Sequence, residues 1–271
     1  MELFRQVLAL RRKLHGDEHP AVAEALNDLG TNLHMMGDLD QGERLLQEAL
    51  AMNRRVGGDD YLNISIFINL AGVAMDKRDW DQAERFHRES VASARRLYGD
   101  EHPDVADCLS RLASILRVKR DYTASEVQFR EALRIQRATL PEGHPNIAVT
   151  LCNFGHLMVQ KGQTSEAETL IQECLEIRRK QFPPGHWRIA QAESLLGACR
   201  AGQLRFEEAE PLLVRSSAII SEQPSTRSSS QAKIEALQRV IDLYEAWDAA
   251  EPGKGYAEKA AEWRAKLESK E

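Results

Sequence analysis

The chain has 271 residues, 42% hydrophobic and 29% charged, with a net charge of −6. That balance can bury a sizeable core, and its mild acidity argues against a nucleic-acid binder, which shows a strongly basic domain. No run approaches the roughly 18 apolar residues of a membrane span, and Met1-Glu-Leu-Phe-Arg-Gln-Val-Leu8 lacks the basic-then-apolar layout of a signal peptide. A cytoplasmic protein with neither nucleic acid nor membrane as partner is expected.

One stretch recurs. Gly16-Asp-Glu-His-Pro-Ala-Val-Ala23 returns as Gly99-Asp-Glu-His-Pro-Asp-Val-Ala106, as Glu142-Gly-His-Pro-Asn-Ile-Ala148 and, more worn, as Pro184-Gly-His-Trp-Arg-Ile-Ala190. His19, His102, His144 and His186 head the copies, and Asp60-Tyr61 stands where one more is due. The steps are 41, 42, 42 and 42 residues. A fixed period of this size marks a solenoid, in which each unit buries its apolar face only against its neighbours.

In chain order, residues 1–15 read as the second helix of a truncated repeat. Leu8 to Leu14 carry the apolar spacing and basic tail of Leu133 to Leu140, so the chain is expected to open mid-unit, as a fragment would. Residues 16–56 form the first full repeat. Pro20 suits a first helical turn, and Val22, Leu26, Leu29 and Leu33 share one face of a 3.6-residue period. Gly37-Asp38 breaks this helix, a second starts near Leu39 with Leu46, Ala49 and Met52 inward, and Gly57-Gly58 ends it. The pattern returns over 57–98 with Phe67, Leu70 and Phe86, over 99–140 with Leu109, Leu112 and Phe129, and over 141–182 with Leu151, Phe154 and Ile171.

Residues 183–222 read as a degenerate fifth repeat: Glu193 and Arg200 replace core leucines, Pro211 enters the second helix, and Ser216-Ser217 replace Ala49-Leu50. Residues 223–271 are expected to hold a polar, turn-rich loop (the stretch Ser221–Ser230) and a capping helix pair split at Glu251-Pro-Gly-Lys-Gly255. The expected fold class is all-α, a run of antiparallel helix pairs.

The repeats carry a recognisable signature. First helices read Leu29-Gly30-x-x-Leu33, Leu112-Ala113-x-x-Leu116 and Phe154-Gly155-x-x-Met158; second helices read Gly42-x-x-x-Leu46-x-x-Ala49 and Ala167-x-x-x-Ile171-x-x-Cys174. This resembles the tetratricopeptide repeat, whose ordinary length is about 34 residues. The longer period, with the Gly-Asp-Glu-His-Pro entry, is similar to the kinesin light chain type. The ending, Leu243-Tyr-Glu-Ala-Trp247 and Glu258 to Leu267, resembles arrays appended to bacterial serine/threonine kinases. The resemblance implies a right-handed superhelical solenoid whose first helices line a concave groove for an extended or helical peptide.

The residues give no active site. The repeated histidines would lie on the order of 10 Å apart, whereas metal ligands sit about 2 Å from their ion, so they read as helix entries. No phosphate loop, H-E-x-x-H pair or nucleophile elbow occurs. Cys108, Cys152, Cys174 and Cys199 fall at four different repeat positions and read as reduced packing residues. No cofactor or metal is expected. The basic tails, from Arg11-Arg-Lys13 to Arg178-Arg-Lys180, read as opposition to the helix macrodipole, with a basic ridge for acidic or phosphate ligands as the alternative.

Groove candidates come from the first helices. One register holds Asp28, Asn69, Arg111, Asn153 and Leu195, and the resemblance implies that asparagine there grips a ligand's backbone. An amide suits that task, being both donor and acceptor. Adjoining registers add Asn27, Thr31, Ser110, Ser114 and His156, with Arg117 one turn on. The expected function is a non-catalytic scaffold for a protein or peptide partner, with Asn69 and Asn153 on backbone and Arg111 and Arg117 on acidic groups. The alternatives are the C-terminal regulatory region of a larger, kinase-like signalling enzyme and, resting on eight histidines alone, a metal- or histidine-dependent enzyme.

Overall fold

The computed structural model describes residues 2–224 and 227–268, with backbone alone for 227–229. Its described residues form thirteen α-helices and no strand. The chain divides into two compact units, Met1–Leu140 and Pro141–Glu271. The first holds α1 (Glu2–His15), α2 (Pro20–Met35), α3 (Leu39–Arg55), α4 (Asp60–Asp76), α5 (Trp80–Tyr98), α6 (Pro103–Val118) and α7 (Tyr122–Thr139). The second holds α8 (Pro145–Gln160), α9 (Thr164–Gln181), α10 (Trp187–Gly202), α11 (Phe206–Ser221), α12 (Arg227–Ala250) and α13 (Tyr256–Glu268). Within each unit a helix packs mainly on its chain neighbours, and first helices also meet first helices: α2 with α4, α8 with α10, α10 with α12.

The recurring entry sequence is a helix cap. His19 Nδ1 accepts the Ala21 N–H at 3.1 Å, and His102, His144 and His186 accept those of Asp104, Asn146 and Arg188 at 3.2 Å each. Each satisfies one of the N–H groups that a helix start leaves without a partner. A ring four residues earlier stacks on three of them: His15 on His19 at 4.3 Å, Tyr98 on His102 at 4.2 Å and Phe182 on His186 at 4.3 Å. Gly99, at φ +78°, turns the chain between stacked ring and cap, a region open to glycine at little cost. Where the histidine is missing, Asp59 accepts from the Leu62 N–H at 3.0 Å. Aspartates cap second helices in the same way: Asp38, Asp79 and Asp121.

Hairpins close on their small residues. A Cβ at Gly155 would lie 2.6 Å from Ile171 Cγ1, and one at Gly197 2.6 Å from Leu213 Cγ, so first and second helices touch backbone to side chain there. Leu26, Leu46, Ile66, Phe67 and Leu70 make one continuous core through α2–α5. In the second unit Phe206, Leu213, Leu243, Tyr244 and Trp247 form another. There Trp247 stacks between Phe206 at 5.5 Å and Tyr256 at 4.2 Å, fastening α12 and α13 onto α11.

Several of the basic helix ends are engaged by carboxylates of their own or the next repeat. Arg12 pairs with Glu48 at 3.1 Å, Arg95 with Glu131 at 2.7 Å, Arg96 with Asp60 at 2.8 Å and Arg134 with Glu101 at 2.6 Å. Exposed pairs of this kind contribute about 0–1 kcal/mol each. The polar stretch after Ser221 is not all loop. α12 begins at Arg227, so Ser228, Ser229 and Ser230 belong to its first turn, while 225–226 lie outside the described residues. Serine is tolerated at a helix start, and the buried Ala236, Leu237 and Val240 downstream hold the helix in place. With 24 residues α12 is the longest helix described.

The worn repeat folds like the others because its polar residues find partners. Glu193, 5% exposed, binds Arg179 at 3.3 Å and Arg215 at 2.8 Å. Ser216 and Ser217 are buried and donate to the carbonyls of Leu213 and Val214. Pro211 lies near the start of α11 without interrupting it.

Candidate ligand-binding site

The first-helix faces differ between the units. In residues 1–140, Asn69 Nδ2 donates to Asn27 Oδ1 at 2.9 Å, and Asn27 Nδ2 faces Asp28 Oδ1 at 3.5 Å. Asn27 is buried, Asn69 half-buried and Asp28 exposed. The asparagine that meets Asn69 is therefore 42 residues away, one position off the register that aligns Leu29-Gly30 with Leu70-Ala71. His34 Nε2 meets Asp76 Oδ2 at 2.7 Å over the same separation. Hydroxyls turn inward: Thr31 donates to the Asn27 carbonyl at 2.8 Å and Ser114 to that of Ser110 at 2.9 Å. Ser110 is buried, Arg117 half-buried and Arg111 exposed. The Arg111 charge reaches the buried His87 behind it, whose pKa burial first, and then Arg111, pushes down to about 4.

In residues 141–271 the same face borders a cavity of about 470 Å³. α8 supplies Ala148 and Asn153, the end of α9 Arg178 and Gln181, and α10 Trp187 and Gln191; Ile220 and Ala232, from α11 and α12, complete the wall. A smaller recess of about 40 Å³ adds Cys152, His156 and Arg239. Asn153 and His156 thus come to one place, and Leu195, in the register of Asn153, is 2% exposed and lines the recess.

Arg178 was legible only as part of a basic tail. It is 5% exposed. Its Nη1 donates to the Arg188 carbonyl and to Gln191 Oε1 at 3.4 Å. Arg188 lies over the rings of Phe182 at 5.4 Å and Trp187 at 5.2 Å. Arg239 reaches Ser194 at 3.3 Å, His156 at 3.4 Å and Glu235 at 3.1 Å. The field of these cations is felt by Cys152. A hydrogen bond from Cys174, together with the charges of Arg178 and Arg239, holds its thiol below the ordinary cysteine range against the opposing effect of burial, and Cys174 is raised in turn. Burial pushes Cys108 up to about 11 and Cys199 up to about 12.

Among the described residues no cluster of three or more His, Cys, Asp or Glu could hold a metal ion, and no helix is long and apolar enough to cross a membrane.

Among solved structures, BtubC (BKLC) from P. vanneervenii is similar with a TM-score of 0.70 at 22% identity, covering 83% of this chain and 93% of that one. A P. anserina protein of kinesin light chain type, with nearly identical TPR-like repeats, gives a TM-score of 0.62 at 20% identity, covering 77% and 100%. NprR in complex with its cognate peptide NprX gives 0.58 at 16% identity, covering 94% and 70%. At these identities the likeness is one of fold. No curated protein sequence matches the chain. The tetratricopeptide repeat family model matches residues 2–55, 62–138 and 109–180. With well over half of its length matched, and helical hairpins throughout the described residues, the chain belongs to the tetratricopeptide repeat family.

Proposed function

We propose that the chain is a non-catalytic scaffold that holds a segment of a protein partner against its first-helix faces, with the cavity of residues 141–271 as the principal seat. The observation that carries this reading is the cavity itself. Its volume of about 470 Å³ is bordered by apolar Ala148, Ile220 and Trp187 and by the amides of Asn153, Gln181 and Gln191. Apolar walls with a few placed polar groups are what a bound segment needs, and an amide can both donate to and accept from one peptide unit. The fold relative NprR is crystallised with a peptide, which supports the same use of the fold. In residues 1–140, Asn69 is the backbone contact, and the exposed Asp28 and Arg111 and the half-buried Arg117 offer charge.

The test is selection of a displayed peptide library on the immobilised intact chain. Enriched peptides are expected to compete with one another and to lose at least about tenfold in affinity on Asn153→Ala with Gln191→Ala, at unchanged helical circular dichroism. Binding that ignores the double substitution overturns this placement of the seat.

A further inference from the structure

One arrangement occurs twice, with one difference. Near the end of α1, Arg11 Nη1 donates to the Ala21 carbonyl at 2.6 Å and to Glu24 Oε2 at 2.9 Å. Near the end of α9, Arg178 Nη1 donates to the Arg188 carbonyl and to Gln191 Oε1 at 3.4 Å. The separations are the same, ten and thirteen residues, so these are equivalent positions in two repeats. In the first, a carboxylate balances the guanidinium. In the second, a neutral amide stands in its place.

The consequence follows from burial. Arg11 and Glu24 keep 31% and 55% of their side-chain surface in water, which screens both charges. Arg178 is only 5% exposed. A guanidinium stays protonated in any protein setting, and burying a charge without an opposite one is costly. No carboxylate of the described residues pairs with Arg178 or Arg188, and none lines the cavity on which both border.

We infer that the cavity selects segments carrying an aspartate or glutamate side chain, whose carboxylate takes beside Arg178 the place that Glu24 takes beside Arg11. This rests on the reading of the cavity as a peptide seat and adds the chemistry of its ligand. The charge comes from a buried position on a second helix, not from Arg111 or Arg117 on the first-helix face of α6. Arginine suits the task because its fork can hold both oxygens of a carboxylate.

The experiment uses library-selected peptides, acetylated and amidated so that no terminal carboxylate contributes, each made in a glutamate and a glutamine form. On the intact chain the glutamate form is expected to bind at least about tenfold tighter, with the advantage shrinking as salt rises. Arg178→Gln removes the difference. Gln191→Glu, which copies the Arg11–Glu24 pair and so keeps the fold, removes it too by supplying an internal carboxylate. Glu24→Gln leaves it unchanged. Peptides that bind with no glutamate preference, or with one that survives Gln191→Glu, overturn the inference while leaving the peptide seat standing. A chain that enriches no peptide overturns both.

Discussion

The two units put similar helices to different ends. In residues 1–140 the polar side chains on the first helices largely engage one another: Asn27 with Asn69, His34 with Asp76, Ser114 with its own helix. In residues 141–271 the apolar Leu195 stands in the register of Asp28, Asn69 and Arg111, and the long α12 lays Ala232 near Ile220, leaving a walled space. One arginine position also differs: a carboxylate, Glu24, balances Arg11 in the first unit, while the equivalent Arg178 in the second has no carboxylate beside it. The backbone repeats; the identity of one or two side chains per repeat decides whether a face is closed or open.

The largest test of this contrast is Trp247→Ala. Removing an indole stacked between Phe206 and Tyr256 is expected to cost about 3–5 kcal/mol. In a stack held by nearest neighbours, hydrogen exchange should rise in α11–α13 and stay unchanged in α1–α7. Uniform loss of protection would contradict that picture.

Acid should separate the units in the other direction. His87 is buried in the first unit, where Ile171 and Leu213 stand at the same repeat position in the second. Its folded pKa of about 4 lies below the ordinary 6.5. Between those values the unfolded chain binds a proton that the folded chain refuses, so stability falls as pH drops from 6.5 towards 4 and levels off below. The loss amounts to on the order of 3 kcal/mol. Denaturant melts at pH 7.5 and 4.5 should show it, and His87→Leu should flatten the difference.

Closer packing gives a smaller effect. Gly155→Ala drives a methyl into Ile171 and should cost about 1–3 kcal/mol. The equivalent Ala71 and Ala113 of the first unit already carry that methyl. Least of all, Leu204 holds φ +62° where Gly162, one repeat earlier, holds +73°. Leu204→Gly should raise stability by roughly 1 kcal/mol, since a side chain strains that conformation. A melting temperature that falls would refute it.

What the sequence made plain was local. Helix faces, the glycine-and-histidine entries and the Gly37-Asp38 break depend on neighbours within a turn or two, and the structure has them where the spacing put them. The Asn27–Asn69 contact was hidden by a single residue. Aligning Leu29 with Leu70 pairs Asn69 with Asp28, but hairpins stack by surface fit, and the fit chose a separation of 42. Arg178 hid inside a tail whose other arginine, Arg179, reaches the carboxylate of Glu193. Its exchange of Glu24 for Gln191 is readable, but only once the Arg11 pair is known in space. The cavity was out of reach because its wall includes α12, which begins within a stretch that reads as loop.

The central proposal places a ligand in the cavity of residues 141–271. Hydrogen exchange of the intact chain with and without a saturating library-selected peptide tests this most directly. Slowed exchange is predicted chiefly in α8, the end of α9 and α10, around Asn153, Arg178 and Gln191, and more weakly in α2 and α4, which carry Asp28 and Asn69. Slowing confined to residues 1–140, with α8–α10 unchanged, would contradict it.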